Sequence, residues 1–479
     1  MRLPALLLLL LLCWPAAAQA FSLGPLRQAK EWLADQASWS GYYKYETAYR
    51  IREPRSFGKM RHIVQLRAAK PLGELFELTA SAWAYYDMVF DLFDYDTVTG
   101  RTRREEGQPL NFLYNQLLQE KDSPRFDLRE LYLDVALDTM DIRIGKQWII
   151  WGVLTGVRVV DEINPMDFRE LILPDLLDYR ISQWSVKLDY YSDYGDVELI
   201  FIPDIRFHKP APPGSEWELL QTVPGTTFPE TWTLENAEMG IQLSRRLLDT
   251  DLTLSYLYTW DFFPTVFRRV PLRVGRSGEQ PEFFPTFTRM RMWGATFQRM
   301  VFGQIVKGEV AFVKGKYFGL ELVDRDGDGY LDHDGELAKD HIRWGLGMDF
   351  NVFKTDFSPG IVQWIILDYD PAIIQDRNDT SFNLFVRKEL PQQRAVLTLL
   401  AIALINLKEL YLKPKVTFDV TDQFQIAAGA DLFFGQAGSF GLIARGGRAT
   451  DLVEVEQSQQ FIGNFRDNDR IFVDFKYAF

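Results

Sequence analysis

Apolar and polar residues alternate with a period of two in many separate segments of this chain, and this pattern constrains the fold more than any other feature. In the last nine residues, IFVDFKYAF, every second side chain is apolar or aromatic: Ile471, Val473, Phe475, Tyr477 and Phe479. Asp474 and Lys476 lie between them. Alternation over about ten residues is typical of a strand with one face in lipid and the other in water.

About eighteen segments between residues 39 and 479 show the pattern, an even number as single-chain bacterial barrels require. The connections between them alternate in length. Every second one is a short turn, such as DTM or LLDT, whereas the others include long stretches such as 90–125, 152–179 and 319–339. The chain is therefore predicted to be all-β, a transmembrane antiparallel β-barrel with long extracellular loops and short periplasmic turns.

The start of the chain predicts export. Residues 1–20 combine Arg2, a leucine run and Ala18-Gln19-Ala20, the pattern of a cleaved secretory signal. Residues 21–38 would then be a short periplasmic segment before the barrel at 39–479. No later apolar run approaches the ~20 residues of a membrane helix. The longest, AVLTLLAIALI, covers residues 395–405.

The C-terminal phenylalanine places the barrel in a cell envelope. Phe479, with apolar residues at alternate positions before it, resembles the assembly signal of Gram-negative outer-membrane proteins. The resemblance implies the outer membrane of a Gram-negative bacterium as the location. It also implies two partners: outer-membrane lipid and the assembly machinery that reads this strand.

The sequence gives little support for a nucleic-acid-binding protein or an enzyme. The formal net charge of -13 argues against a nucleic-acid partner, which would need a basic face. The four histidines have no metal-ligand spacing, and no G-x-S-x-G or H-E-x-x-H motif occurs. The chain is therefore predicted not to be an enzyme, with an outer-membrane hydrolase as the weaker alternative.

The stretch DRDGDGYLDHDGE suggests calcium, the only cofactor the sequence indicates. Its oxygen ligands would come from residues spaced as in an EF-hand loop: Asp324, Asp326, Asp328, Tyr330 through its carbonyl, and Asp332. Glu336 comes one residue later than the bidentate glutamate of such a loop. The alternative interpretation of residues 324–336 is a solvated acidic loop tip.

A third stretch carries a family resemblance. Its matching residues are Arg143, Gly145, Lys146, Gln147, Trp151, Gly152, Asn164, Pro165 and Asp167. They fit R-x-G-[RK]-Q-x-x-x-W-G followed by N-P-x-D, a pattern that resembles a large family of proteobacterial porin-like outer-membrane barrels. More distantly, the chain is similar to alginate-export barrels. The resemblance implies a channel or an export conduit and names no substrate.

The connection after this motif is predicted to enter the barrel. Residues 153–179 are rich in Val, Leu and Ile, which do not favour a loop in water. The constriction residues would be Trp151, Asn164, Pro165 and Asp167, with the loop pinned by Arg143 and Gln147. The plainer alternative is that Arg143 only pairs with Asp134 and Glu130 across the strands.

The alternation also predicts which charged and polar residues line the pore. They are Lys44, Arg50, Arg52, Arg61, Arg67, Glu130, Asp134, Arg143, Gln147, Arg343, Asp349, Lys413, Lys415, Arg470 and Lys476. Basic positions gather on one wall and acidic ones on the other, which favours polar solutes over apolar ones. The predicted function is an outer-membrane channel, a porin or export conduit for small or polymeric solutes. A binding or scaffolding barrel that works with a periplasmic or surface partner is the alternative.

Overall fold

The barrel is seen in a computed structural model. It describes residues 37–53, 55–92, 126–174, 178–211, 216–217, 226–269, 282–320, 335–437, 440–444, 453–457 and 460–479. Within these ranges, no helix combines the length and the apolar character needed to cross a membrane.

Twenty-two strands follow one another along the described chain. In order they are β1 Ser38–Arg50, β2 Ser56–Pro71, β3 Phe76–Asp87, β4 Phe126–Leu137, β5 Met140–Gln147, β6 Gln183–Tyr190, β7 Asp196–Ile202, β8 Glu238–Leu247, β9 Thr250–Trp260, β10 Thr265–Arg269, β11 Glu282–Thr286, β12 Arg289–Val301, β13 Gln304–Gly319, β14 Glu336–Val352, β15 Thr355–Ile366, β16 Asn378–Leu390, β17 Ala395–Leu404, β18 Glu409–Asp419, β19 Phe424–Phe434, β20 Phe440–Ala444, β21 Val453–Gln457 and β22 Arg470–Ala478. The described helices are short: an α-helix Val89–Leu92 and 3-10 helices Phe168–Glu170, Pro391–Gln393 and Ile462–Asn468.

Eighteen of these strands form one closed antiparallel barrel. Each pairs with its neighbours in chain order, while β10–β11 and β20–β21 are separate hairpins in two of the connections. Closure comes from β1, which pairs with β2 on one side and with β22 on the other, Tyr45 opposite Phe475. The predicted all-β antiparallel barrel of about eighteen strands is thus confirmed.

The two ends of the barrel differ. One end carries only short turns, such as Leu248-Asp249, Phe302-Gly303 and Phe353-Lys354, and all these residues have positive φ. Positive φ at both central positions is the geometry of the tight two-residue hairpin turn, whose twist matches that of the flanking strands. The other end, here called the long-connection end, carries the long stretches predicted from sequence.

The two faces of each strand differ as the alternation predicts. On β19 and β22, Asp431 and Arg470 point inward and pair, whereas Ile471 is exposed on the outer face. Other large apolar side chains exposed on the outer face include Leu66, Leu254, Trp293 and Phe382. An outer surface of this kind suits lipid rather than water.

Two residues do not fit the alternation, and one of them has a local explanation. Lys146, nominally on the lipid face, is buried: its Nζ donates to the Leu128 carbonyl at 2.5 Å and lies 3.8 Å from Asp127 Oδ1. It is therefore not presented to lipid. Pro414 lies within β18, and the pairing with β19 keeps its register on either side of it without a bulge.

Candidate functional site: a strap across the lumen

The connection between β5 and β6 folds into the barrel, and its residues 148–174 are here called the strap. Its base is closed by Asn164, whose Oδ1 accepts from the Ile149 amide at 3.0 Å and whose Nδ2 donates to the Ile181 carbonyl at 3.1 Å. Trp148 Nε1 adds a bond to the Arg180 carbonyl at 3.2 Å. The start and the return of the connection are thus tied to each other, so that the strap projects from one wall.

The first half of the strap packs on the inner wall as a hydrophobic core. Its own buried members are Ile149, Trp151, Val159, Val160 and Ile163. They contact inward residues of β7, β9, β12, β13 and β15, among them Ile200, Leu257, Met292, Val313 and Val362. Burial of apolar side chains stabilises this docking, by about 25 cal/mol per Å² removed from water. The interior of this barrel is therefore partly a packed core.

Glycines in the wall make room for the strap. A Cβ on Gly345 of β14 would lie 2.6 Å from Leu154 Cδ1, and one on Gly294 of β12 would lie 3.0 Å from Val160 Cγ1. Likewise, a Cβ on Gly240 of β8 would lie 2.8 Å from Trp151 Cη2. Side chains of the strap thus fill the space that larger residues at these three wall positions would need.

A single wall carboxylate fixes the turn of the strap. Glu309 of β13, buried on the inner face, accepts from the amides of Val153 at 2.5 Å, Leu154 at 2.7 Å and Val160 at 3.1 Å. Gly152 begins this turn at φ 110°, a value that favours glycine. Hydrogen bonds to a charged group are about twice as strong as neutral ones. Glu309 is therefore the main polar anchor of the first half.

Glu162 supplies a second anchor on β14. Its Oε1 lies 2.7 Å from Arg343 Nη1. Burial raises the pKa of Glu162, but the charges of Arg343 and Arg158 outweigh it and bring the pKa down to about 2. The carboxylate is therefore ionised throughout the neutral range and holds the strap electrostatically.

The second half of the strap reaches the opposite wall. Glu170 forms ion pairs with Lys59 and Arg61 of β2. Burial raises the pKa of Glu170, yet these two cations lower it to about 2. On β18, Lys413 Nζ donates to the carbonyl of Leu173. Since β2 and β18 flank the closure strands β1, β22 and β19, the strap spans the lumen from side to side.

An apolar cluster completes this second contact. It unites strap residues Leu171 and Leu173 with Trp217, with the buried Tyr411 and Phe433 of the wall, and with Ile462 and Phe465 of the last connection. Leu400, Ile402 and Leu404 of β17 pack against it. The long apolar run at 395–405 is thus a strand that is apolar on both faces, one outward and one toward the strap.

All four predicted constriction residues lie on the strap. Trp151 is 2 % exposed and donates through Nε1 to Glu198 Oε1 at 2.7 Å. Asn164 closes the base, and the Pro165 carbonyl accepts from the Ile181 amide at 2.9 Å. Asp167 Oδ1 accepts from Arg169 Nε at 2.8 Å.

The prediction that Arg143 and Gln147 hold the strap is wrong. Arg143 binds Asp134 in a bidentate pair, with 2.6 Å from Nε to Oδ1 and 3.0 Å from Nη2 to Oδ2, and the structure gives it no strap contact. Gln147 donates to the Ser185 carbonyl at 3.3 Å. The plainer cross-strand interpretation holds for Arg143, and the strap is held from distant strands instead.

The structure also locates the predicted pore-lining residues. Most of them on the inner face are paired: Lys44 with Glu46, Arg61 with Glu170, Arg67 with Glu130, Arg343 with Glu162, Asp349 with Lys307, and Arg470 with Asp431. Arg50 donates to the Glu53 carbonyl, and Lys476 lies over the Tyr42 ring. Lys415 forms no ion pair with any described residue. Arg52 follows the end of β1 and pairs with Asp469.

Sequence reasoning missed Glu309, Glu170 and Asn383, whose Nδ2 donates to the Thr155 carbonyl at 2.9 Å. Glu309 and Asn383 occupy inward positions of the alternation, but nothing local indicates that their partners lie more than a hundred residues earlier.

The calcium prediction falls mostly outside the described residues. Asp324, Asp326, Asp328, Tyr330 and Asp332 all lie there, while Glu336 begins β14 opposite Gly319. Across the described ranges, no group of three or more His, Cys, Asp or Glu side chains could hold a metal ion.

Comparisons with known proteins agree with this architecture. Residues 2–336 match the family described as "Protein of unknown function (DUF1302)". No curated protein matches the chain. Similar solved structures include OccAB2 of Acinetobacter baumannii, at 10 % identity and a TM-score of 0.50 over 93 % of this chain and 98 % of that one. OccAB4 of the same organism has 10 % identity and a TM-score of 0.48, with 93 % and 98 % covered. At such identity the likeness shows the barrel fold alone.

Proposed function

The chain belongs to the DUF1302 family, and we propose that it is an outer-membrane channel whose lumen is narrowed by the strap. The observation that carries this proposal is the strap itself. It leaves one wall, binds Glu309 and Arg343, and ends on Lys59, Arg61 and Lys413 across the lumen. A barrel that served only as a membrane anchor would need no such inner segment.

The outer surface supports the proposed location. Large apolar side chains such as Leu254, Trp293 and Phe382 lie on the outer face of the barrel. We therefore assign the protein to the outer membrane of a Gram-negative bacterium, with the short turns in the periplasm and the long connections outside. Residues 1–20 would be the signal that directs export.

The strap limits which solutes can pass through the lumen of the barrel. The turn at residues 152–156 is its most open part, since Gly152, Thr155 and Gly156 are exposed although the residues on either side are docked. Water and solute must pass beside this exposed part, and the charged inner wall favours polar or ionic species. The channel is therefore proposed to pass small polar solutes rather than to act as a wide pore.

Single-channel recording in planar bilayers tests this function. The intact protein should give small, discrete conductance steps, and a variant that lacks residues 155–175 should give larger ones while it still assembles. Unchanged conductance in the deletion variant would show that the strap does not limit flow. An absence of any current from correctly assembled protein would favour the binding or scaffolding barrel.

A further inference from the structure

One arginine on the strap forms no ion pair with a described carboxylate. The strap and its return through residue 182 contain three arginines in their described part: Arg158, Arg169 and Arg180. Arg169 is paired with Asp167, and Arg180 with Asp161. Arg158 donates only to the Asp161 carbonyl, at 3.2 Å, and forms no ion pair with any described residue. Arg158 is partly exposed and follows the exposed turn at residues 152–156.

Most of the inward-facing charged side chains named above form ion pairs, whereas Arg158 does not. The two carboxylates nearest in sequence, Asp161 and Glu162, are ion-paired with Arg180 and Arg343 instead, and the charge of Arg158 acts on them only from a longer distance. An unpaired guanidinium at a constriction keeps its donors available for an anionic group, which it binds through two parallel hydrogen bonds. Arg158 therefore meets the chemical requirements of a selecting residue.

Aromatic rings connect this arginine to the long-connection end. Phe263, just beyond β9, is 44 % exposed and stacks on Phe168 of the strap with ring centroids 5.8 Å apart. Phe168 also contacts Tyr179 at 6.2 Å and His208 at 4.9 Å. Phe263, Phe168, Tyr179 and His208 are here called the aromatic track.

The aromatic track carries no charge at neutral pH. The positive charge of Arg158 acts on two of its members, Tyr179 and His208. Burial, and then the positive charge of Arg158, lower the pKa of His208 to about 3. The His208 Nδ1 accepts from the Met166 amide at 2.8 Å, which fixes the neutral ring against the strap. A solute in contact with these rings would therefore lie near the positive charge of Arg158.

We propose that Arg158 selects solutes at the strap and that the selected class is organic anions with an aromatic body. The anionic group pairs with the guanidinium, and the ring passes over Phe263 and Phe168. Stacked and edge-to-face ring pairs attract each other beyond the effect of their buried area. This inference rests on the proposed channel function, and it adds the substrate class and the residue that recognises it.

The test uses reversal potentials of the full-length protein in planar bilayers. In a potassium chloride gradient, Arg158→Gln should lower the ratio of chloride to potassium permeability at least about fivefold, because the lost unit charge attracts chloride by about that factor at contact distance in water and also repels potassium. Arg158→Lys should retain the ratio. Arg387→Gln is the matched control, because Arg387 also faces the lumen but is paired with Glu389 and distant from the strap.

A second measurement tests the aromatic part of the class. Benzenesulfonate and methanesulfonate are both fully ionised, so that they differ in the ring and not in charge. Sieving by size alone would favour methanesulfonate, whereas the track should favour benzenesulfonate. Phe263→Ala should reduce this preference severalfold.

The outcomes separate the two proposals. If the wild-type protein carries no current, the channel function itself is wrong. If it conducts but Arg158→Gln selects ions as the wild type does, or Arg387→Gln shifts the ratio equally, Arg158 is not the selecting residue. A wild-type preference for methanesulfonate would overturn the aromatic substrate class.

Discussion

The carboxylate of Glu309 on β13 accepts a hydrogen bond of 3.1 Å from the backbone amide of Val160, a residue 149 positions earlier in the chain. The same carboxylate binds the amides of Val153 and Leu154. One wall side chain thus holds three backbone donors of the strap at its turn, and the position of the turn depends on it.

Replacing Glu309 with alanine should release this turn. Hydrogen bonds to a charged group contribute about 1.5–3 kcal/mol each, and the three amides would lose a shared acceptor. We expect faster amide hydrogen exchange at residues 153–160 and larger, noisier conductance steps. Glu389→Ala is the control, because Glu389 is exposed on the inner face of β16 and, among the described residues, forms its ion pair with Arg387 alone. Equal exchange in both variants would argue against the anchor.

Acid should loosen the strap only at low pH. The pKa values of Glu162 and Glu170 lie near 2, below the ordinary value of 4.5. A lowered folded-state pKa contributes stability that is complete above about 4.5 and is lost as the pH falls toward about 2. The protection factors of the strap amides, which remove the intrinsic pH dependence of exchange, should therefore be constant from about pH 7 to 5 and should fall below about pH 4. Glu162→Gln should reduce this acid effect, and loosening already at pH 6 would contradict the assignment.

Calcium removal should act on one connection and spare the barrel. We propose that Asp324, Asp326, Asp328 and Asp332 bind the ion, on the basis of their spacing. A chelator should then increase protease cleavage within residues 319–339 and leave the heat stability of the barrel unchanged. Asp326→Asn should be cleaved equally with and without calcium. If the wild type also shows no difference, the stretch is an acidic loop tip.

The strand plan could be read from the sequence because the pattern that encodes it is local. A period of two assigns each side chain of β19 or β22 to a face without knowledge of any partner. The strap could be predicted to enter the lumen for a similar reason, since its apolar composition is a property of one segment.

The contacts that hold the strap could not be predicted in the same way. The closeness of Arg143 to the strap in sequence suggests a contact between them, yet the carboxylate that pairs with Arg143 lies on the adjacent strand β4. Glu309 and Asn383 meet the strap only because the barrel closes and brings β13 and β16 around it. Such pairings depend on barrel diameter and strand stagger, which the alternation leaves open.

The fit between Gly345 and Leu154 gives a sharper test of docking. A Cβ on Gly345 would lie 2.6 Å from Leu154 Cδ1 and 3.2 Å from Val159 Cγ2. Gly345→Val should therefore displace the strap at a cost of about 1–3 kcal/mol, the usual range for overpacking, although valine itself suits a strand. Faster exchange at residues 153–160 and an altered conductance would report the displacement.

Leu154→Ala should restore the docking of Gly345→Val, because it removes the side-chain carbons that the new methyl groups meet. The double variant should therefore recover most of the wild-type exchange protection and conductance, while Leu154→Ala alone should lose a little of both through a small cavity. Gly347→Val is a comparison at a looser position, where the Cβ would lie 3.0 Å from Leu154 Cδ2. If the effects of Gly345→Val and Leu154→Ala simply add, the two residues do not touch, and the strap does not pack on β14 as described.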